Sequence, residues 1–184
     1  DLTFGLLGFG TIAQNVARKV SAFGFRIVSH DPYVSEATMM SHGVEKVDRD
    51  GLLERSDLLA VLCPYTPETH HAIGARALRR MKPTASLVNC ARGRLVDTAA
   101  LATALEERWI AGAGLDDLEE EPSKHPDWTP QRTPLLANPN CIVTPHSAYY
   151  SERSMELNRR MTAQNARAVL LGERPINVVR PPAR

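Results

Sequence analysis

Two periods of hydrophobic and polar residues take turns along the chain. Apolar runs of strand length occur at 4–7, 25–28, 58–63, 85–90, 111–115 and 141–144, several too continuously apolar to have a solvent-facing side. Between them the period lengthens to that of a helix. Ile12, Val16 and Val20 form one such stripe, and Leu101 and Leu105 another within 98–108, where Asp97 is placed to cap. Residues 35–42 read as a short helix closed by Gly43, 44–47 as a short extended piece, and Asp50 as the cap of a helical turn to Arg55. A helix over 73–81 stops before Pro83, and a long one from the Ser151 cap ends near Leu171, before Gly172 and Pro175. The prolines and threonines of 64–69 force a loop, and the proline- and acid-rich 118–140 predicts a long one. Strand and helix thus alternate throughout. That predicts a doubly wound α/β fold with a mainly parallel sheet, whose ligands bind beyond the carboxyl ends of the strands.

The first strand–helix–strand unit carries a specific chemistry. Gly8, Gly10 and Ala13 follow the first strand as G-x-G-x-x-A, and Asp31 closes the second strand. Gly8 permits a tight turn, Gly10 lets a pyrophosphate approach the backbone, and Ala13 lets the helix pack close to its strand. The helix start offers unpaired N–H groups to phosphates. An acid at Asp31 accepts hydrogen bonds from ribose hydroxyls and repels a 2′-phosphate, favouring NAD over NADP. Pro32 and Tyr33 follow as a turn whose rings suit an adenine, or equally as an ordinary surface loop.

Bulk properties narrow the class without changing it. The 184 residues, 43% hydrophobic and 23% charged with a net charge of +1, are those of a globular domain without a nucleic-acid surface. No apolar stretch reaches membrane-spanning length and no signal peptide is evident, so the cytoplasm is the expected compartment. Cys63, Cys90 and Cys141 each flank an apolar run and lack C-x-x-C spacing, which predicts buried free thiols and neither disulfides nor a metal site.

Three strand ends are polar beyond what packing requires. Arg92 in Asn89-Cys90-Ala91-Arg92-Gly93 puts a fixed, forked cation at the rim, where it can hold a carboxylate. The run DDLEEEP, 116–122, follows the next strand, and His146 in Thr144-Pro145-His146 follows the last. Singly, each is more often an ion-pair partner, a solvated loop or a structural histidine. Together they supply what oxidation of a hydroxy acid needs: a carboxylate anchor, a base titrating near neutrality and an acid to orient it.

The order GFGTIA, HDP, CPYTPETH, NCARGRLVD, LDDLEEEP and TPHSAYYSE resembles the D-isomer-specific 2-hydroxyacid dehydrogenase family over essentially the whole chain. Tyr149-Tyr150-Ser151-Glu152 and His30-Asp31-Pro32-Tyr33 are similar to the branch containing the C-terminal binding protein corepressors. The resemblance implies a Rossmann-like NAD-binding domain and hydride transfer between NAD(H) and a 2-hydroxy or 2-keto acid. It implies Arg92 as substrate-binding arginine, Glu121 as the acid paired with histidine, and His146 as acid/base. A Glu121 carboxylate beside His146 is expected to favour the imidazolium. Gly8, Gly10, Thr11, Ile12, Asp31, Pro32, Cys63, Pro64, Thr69, Asn89, Cys90, Ala91, Asp116, His146 and Ala148 are implied to lie near the cofactor. A homodimer is implied too.

Departures from the family pattern are few. Ala13 stands for the third glycine, Asp117 for a usually apolar residue, and Ser147 and the two tyrosines differ from many members, so substrate identity does not carry over. The family's substrate domain is built largely from residues before the cofactor domain, whereas here the first strand begins at once. The expectation is a cofactor-binding piece: an NAD-binding domain over 1–172, a tail over 173–184 that would cross back to a missing substrate domain, and poor turnover of the chain alone. The alternative is an NADH-responsive, corepressor-like scaffold with no metabolic substrate. An NADP enzyme is disfavoured by Asp31.

Overall fold

The computed structural model describes residues 2–120 and 125–178, and divides the chain into two compact units, 1–146 and 147–184. The first unit runs β1 (Thr3–Leu7), α1 (Thr11–Val20), β2 (Arg26–His30), α2 (Glu36–Ser41), β3 (Glu45–Lys46) and α3 (Arg49–Arg55). It continues with β4 (Leu58–Val61), α4 (Ala75–Arg80), β5 (Ser86–Asn89), α5 (Thr98–Glu106), β6 (Gly112–Leu115) and β7 (Cys141–Val143). The second unit contains α6 (Glu152–Leu170), capped by Ser151, whose hydroxyl accepts from the Ser154 N–H.

The strands form one sheet in the order β3-β2-β1-β4-β5-β6-β7, with every neighbouring pair parallel. Successive side chains of a strand point to opposite faces, so the continuous apolar runs divide between two cores. Leu6, Ile27 and Ala60 meet Ala13 and Ala17 of α1 and Met39 of α2 on one face. Leu7, Val28, Leu59 and Val61 meet Leu52, Leu78, Leu101 and Leu105 on the other, under α3, α4 and α5. The chain leaves β1 in one direction across the sheet and returns in the other from β4. The crevice where the order reverses lies above Gly8 and Cys63.

Several local expectations shift. Helix α3 is capped by Asp48, whose carboxylate accepts from the Gly51 N–H at 2.7 Å; Asp50 lies inside the first turn and pairs with Arg80 at 2.7 Å. The fully buried side of α1 is Ala13 and Ala17, because only a methyl-sized side chain fits so near the strands; Ile12 is 68% exposed. Helix α4 starts at Ala75 because Ile73 is held in a parallel bridge to Val96. Of the three free thiols Cys90 is exposed and Cys63 and Cys141 are only partly buried, short of the burial expected. Partial burial pushes the Cys141 thiol up to about 11.

Candidate active site

The turn from β1 into α1 is built for close approach. Gly8 has φ +94, a conformation that side-chain-bearing residues rarely adopt, and a Cβ there would sit 2.9 Å from the Cys63 backbone. At Gly10, the N-cap of α1, a Cβ would meet nothing, so its bare backbone faces open space. No side chain caps α1 and its first turn holds no acid, which leaves the leading N–H groups of Thr11 and Ile12 to bind an anion. A dinucleotide pyrophosphate fits this cradle. Asp31 reinforces it, since its carboxylate accepts from the Phe9 N–H at 2.8 Å and from the Tyr33 N–H at 2.9 Å. The acid expected to read a ribose therefore also ties its strand to the glycine turn, with lone pairs left over for a ligand.

Beside this turn lies a cavity of about 280 Å³ lined by Gly8, Asp31, Pro32, Cys63, Pro64 and Thr69. The Thr69 hydroxyl is engaged in shaping the loop, donating to the Pro64 carbonyl at 2.9 Å and accepting from the Thr66 N–H at 2.7 Å. A second cavity, about 720 Å³, is lined by Ile12, Cys63, Pro64, Cys90, Ala91 and Arg92. The exposed Ile12 thus contributes apolar surface to the wall of the cleft. Partial desolvation of the sulfur raises the thiol of Cys63 and, although that residue is exposed as a whole, of Cys90, with Asp31 and Asp116 respectively adding to the effect.

Asn89 works beneath the Arg92 loop. Fully buried, it donates to the Arg92 carbonyl at 2.8 Å and accepts from the Ala91 N–H at 3.0 Å, folding residues 89–92 back on the strand end. The Arg92 side chain is left exposed, with one guanidinium N–H on the Ala91 carbonyl at 2.8 Å. Asp116 continues this scaffold through its own N–H to the Asn89 carbonyl, 2.9 Å, and accepts from the Thr144 hydroxyl at 2.6 Å. Thr144 in turn bonds Leu115, so the β5, β6 and β7 ends are stitched together.

His146 has a left-handed backbone, φ +51, and borders a cavity of about 490 Å³ with Asp116, Asp117, Trp128 and Thr144. Its Nδ1 lies 3.6 Å from Oδ1 of Asp117. Asp117 therefore stands beside the imidazole, a contact not expected from the sequence; Glu121, the expected partner, lies outside the described residues. Arg92 and His146 line separate cavities, joined through Asp117, whose other oxygen accepts from the Gly93 N–H at 3.1 Å. Ala148 falls in the second unit.

One network was not expected from the sequence. His71 Nε2 lies 2.5 Å from Glu119 Oε1, and Oε2 of Glu119 accepts from the Thr98 N–H at 3.2 Å. Burial alone would raise the Glu119 carboxyl, but the bonds from His71 and Thr98 outweigh it and hold it below the usual glutamate value. His70, His71 and Glu119 offer donor atoms within 4.8 Å of one another. The His71–Glu119 approach is nevertheless closer than the roughly 3.3 Å separating two ligands on a tetrahedral zinc, and is that of a hydrogen bond. Its effect is to pin the acidic loop against the start of α5.

Residues 1–148 match the family described as D-isomer specific 2-hydroxyacid dehydrogenase, NAD binding domain. The chain belongs to this family. It is 44% identical over 96% of its length to the glyoxylate reductase of Korarchaeum cryptofilum, covering 52% of that protein. It is 40% identical over 98% of its length to the D-3-phosphoglycerate dehydrogenase of Methanocaldococcus jannaschii, covering 33%. The solved D-lactate dehydrogenase of Lactobacillus jensenii with NAD+ superposes with a TM-score of 0.87 at 36% identity, over 98% of this chain and 56% of that one. The chain thus spans about half the length, or less, of these relatives. As a family NAD-binding domain it takes NAD, and the open space at Gly10 and the bare start of α1 fit a pyrophosphate. Among the described residues no helix is long and apolar enough to cross a membrane.

Proposed function

We propose that the protein containing this chain is an NAD-dependent oxidoreductase of the D-2-hydroxyacid dehydrogenase type, acting on a small 2-keto or 2-hydroxy acid. The observation that carries the reading is that the Gly8 turn, Arg92 and His146 each follow the carboxyl end of a strand of one parallel sheet, each lining a cavity at that edge. Bound NADH supplies the hydride. The exposed Arg92 guanidinium holds the substrate carboxylate and polarises its neighbouring carbonyl. His146 delivers a proton to the carbonyl oxygen in reduction and removes it in oxidation, with Glu121 as its acidic partner. Relatives named glyoxylate reductase and D-lactate dehydrogenase support a compact 2-keto acid as substrate.

In this reading residues 1–172 form the cofactor domain and 173–184 a tail returning toward a substrate-binding part, so the chain alone turns over poorly. We also place the protein in the cytoplasm, consistent with three free thiols, and expect a homodimer, which sedimentation at micromolar concentration would reveal. The deciding test is NADH oxidation by the full-length protein against a panel of 2-keto acids. The proposal expects turnover that falls by about a thousandfold in His146→Ala. NADH binding without turnover of any acid would overturn it in favour of a corepressor-like scaffold.

A further inference from the structure

We infer that Asp117 is a positioning residue for His146, coupling the imidazole to the loop that carries Arg92. The inference rests on the dehydrogenase reading and goes beyond its expected pairing of His146 with Glu121. Asp117 directs one oxygen to each of two loops: Oδ1 lies 3.6 Å from His146 Nδ1, and Oδ2 accepts the Gly93 N–H at 3.1 Å. Its side chain is only 9% exposed. A carboxylate withdrawn from water that far needs donors, and these two are at hand.

The consequence is chemical. A carboxylate facing Nδ1 favours the tautomer that carries its proton there, which leaves Nε2 to exchange a proton with substrate. At 3.6 Å the contact is an ion-pair distance and longer than a formed hydrogen bond; such contacts commonly tighten once a ligand closes the site. The Gly93 N–H fixes the other end of the same carboxylate beside Arg92. A substrate carboxylate pulling on Arg92 thereby bears on the group that orients the histidine. An apolar residue at 117 could do none of this.

The test uses the full-length protein, with Asp117→Asn, Asp117→Glu, His146→Ala and the Asp117→Asn/His146→Ala pair, assayed by NADH oxidation with glyoxylate and pyruvate. Asp117→Asn keeps the side-chain shape and an acceptor for Gly93. It should lower kcat about tenfold with the NADH dissociation constant unchanged, while Asp117→Glu restores part of the loss. In the His146→Ala background the same change should cost less than about twofold, since the residue acts through the imidazole. Nitrogen-15 shifts of the neutral His146 ring supply a readout independent of turnover, and should report the Nδ1–H tautomer in the parent and its loss in Asp117→Asn. Unchanged kcat in Asp117→Asn, an equal loss with and without His146, or an Nε2–H tautomer in the parent would overturn the inference. Full activity in His146→Ala would overturn the dehydrogenase assignment of that histidine, a separate result.

Discussion

A methyl group added to Gly93 would collide with the backbone carbonyl of Leu118 and the amide of Glu119. The loop after β5 presses against the loop after β6 because residue 93 has no side chain. Gly93→Ala should therefore displace Arg92 and Asp117 together, lowering kcat/KM of the full-length protein about tenfold or more and stability by about 2 kcal/mol. Asp31 is the proposed ribose acceptor. Asp31→Ala removes that acceptor and the bond to the Phe9 N–H, so NADH binding should weaken at least about tenfold while discrimination against NADPH falls. Titration of each variant with both nucleotides, followed by fluorescence, checks this. Both roles depend on where single side chains end, to within an ångström or so. The G-x-G-x-x-A spacing was enough to single out Asp31. Nothing local to Arg92-Gly93-Arg94 announces that residue 93 is overlain by a chain segment 25 positions away.

Elements were the most legible scale. The alternation of apolar runs with helical stripes yields all the main strands and helices, because a parallel sheet covered on both faces demands continuous apolar runs. Caps were legible where the side chain had a single helix start to serve. Asp97 accepts from the Ala100 N–H at 2.9 Å and Ser151 from the Ser154 N–H at 3.0 Å, as their placement suggests. Asp97→Ala should cost about 1 kcal/mol, a melting-temperature loss of about 2–4 °C by calorimetry. At α3 two acids compete two residues apart, and Asp48 wins because its backbone is still extended, which is the N-cap geometry. On α1 the stripe holds in part: Val16 and Val20 pack against the core, while Ile12 stays exposed. Periodicity marks which residues are apolar, but the distance between helix and sheet decides that Ala13 and Ala17 go inside.

For the molecule as a whole, Asp57 ties parts of the sheet that are distant in sequence. Its carboxylate accepts from the Thr3 N–H at 2.8 Å and pairs with Lys82 at 2.9 Å, joining the starts of β1 and β4 to the turn before β5. The Thr3 bond first, then Lys82, holds its pKa below the ordinary aspartate value. A carboxylate depressed in the folded state contributes stability that is fully present above its unfolded pKa and lost as pH falls through its folded one. Asp57→Asn should thus lower stability by about 1 kcal/mol at pH 7, with the gap to the parent closing below about pH 4. Urea titrations at pH 7 and pH 3 measure both values.

The order of side-chain types along the chain was sufficient for the class of fold, the glycine turn, and the family with its NAD. Each of these rests on short-range periodicity or on motifs whose members lie within a few residues of one another. The partner of His146 was beyond that reach. The family resemblance pointed to Glu121, which lies outside the described residues, while Asp117 lies between the imidazole and the Gly93 N–H, a contact no motif announces. Three strand ends separated by tens of residues become neighbours only when β5, β6 and β7 pair in parallel, and the register of that pairing brings Asp117 to both His146 and Gly93. The same holds for His71 and Glu119, which are 48 positions apart and meet at 2.5 Å. Local order names the candidates for chemistry, and packing of distant segments chooses among them.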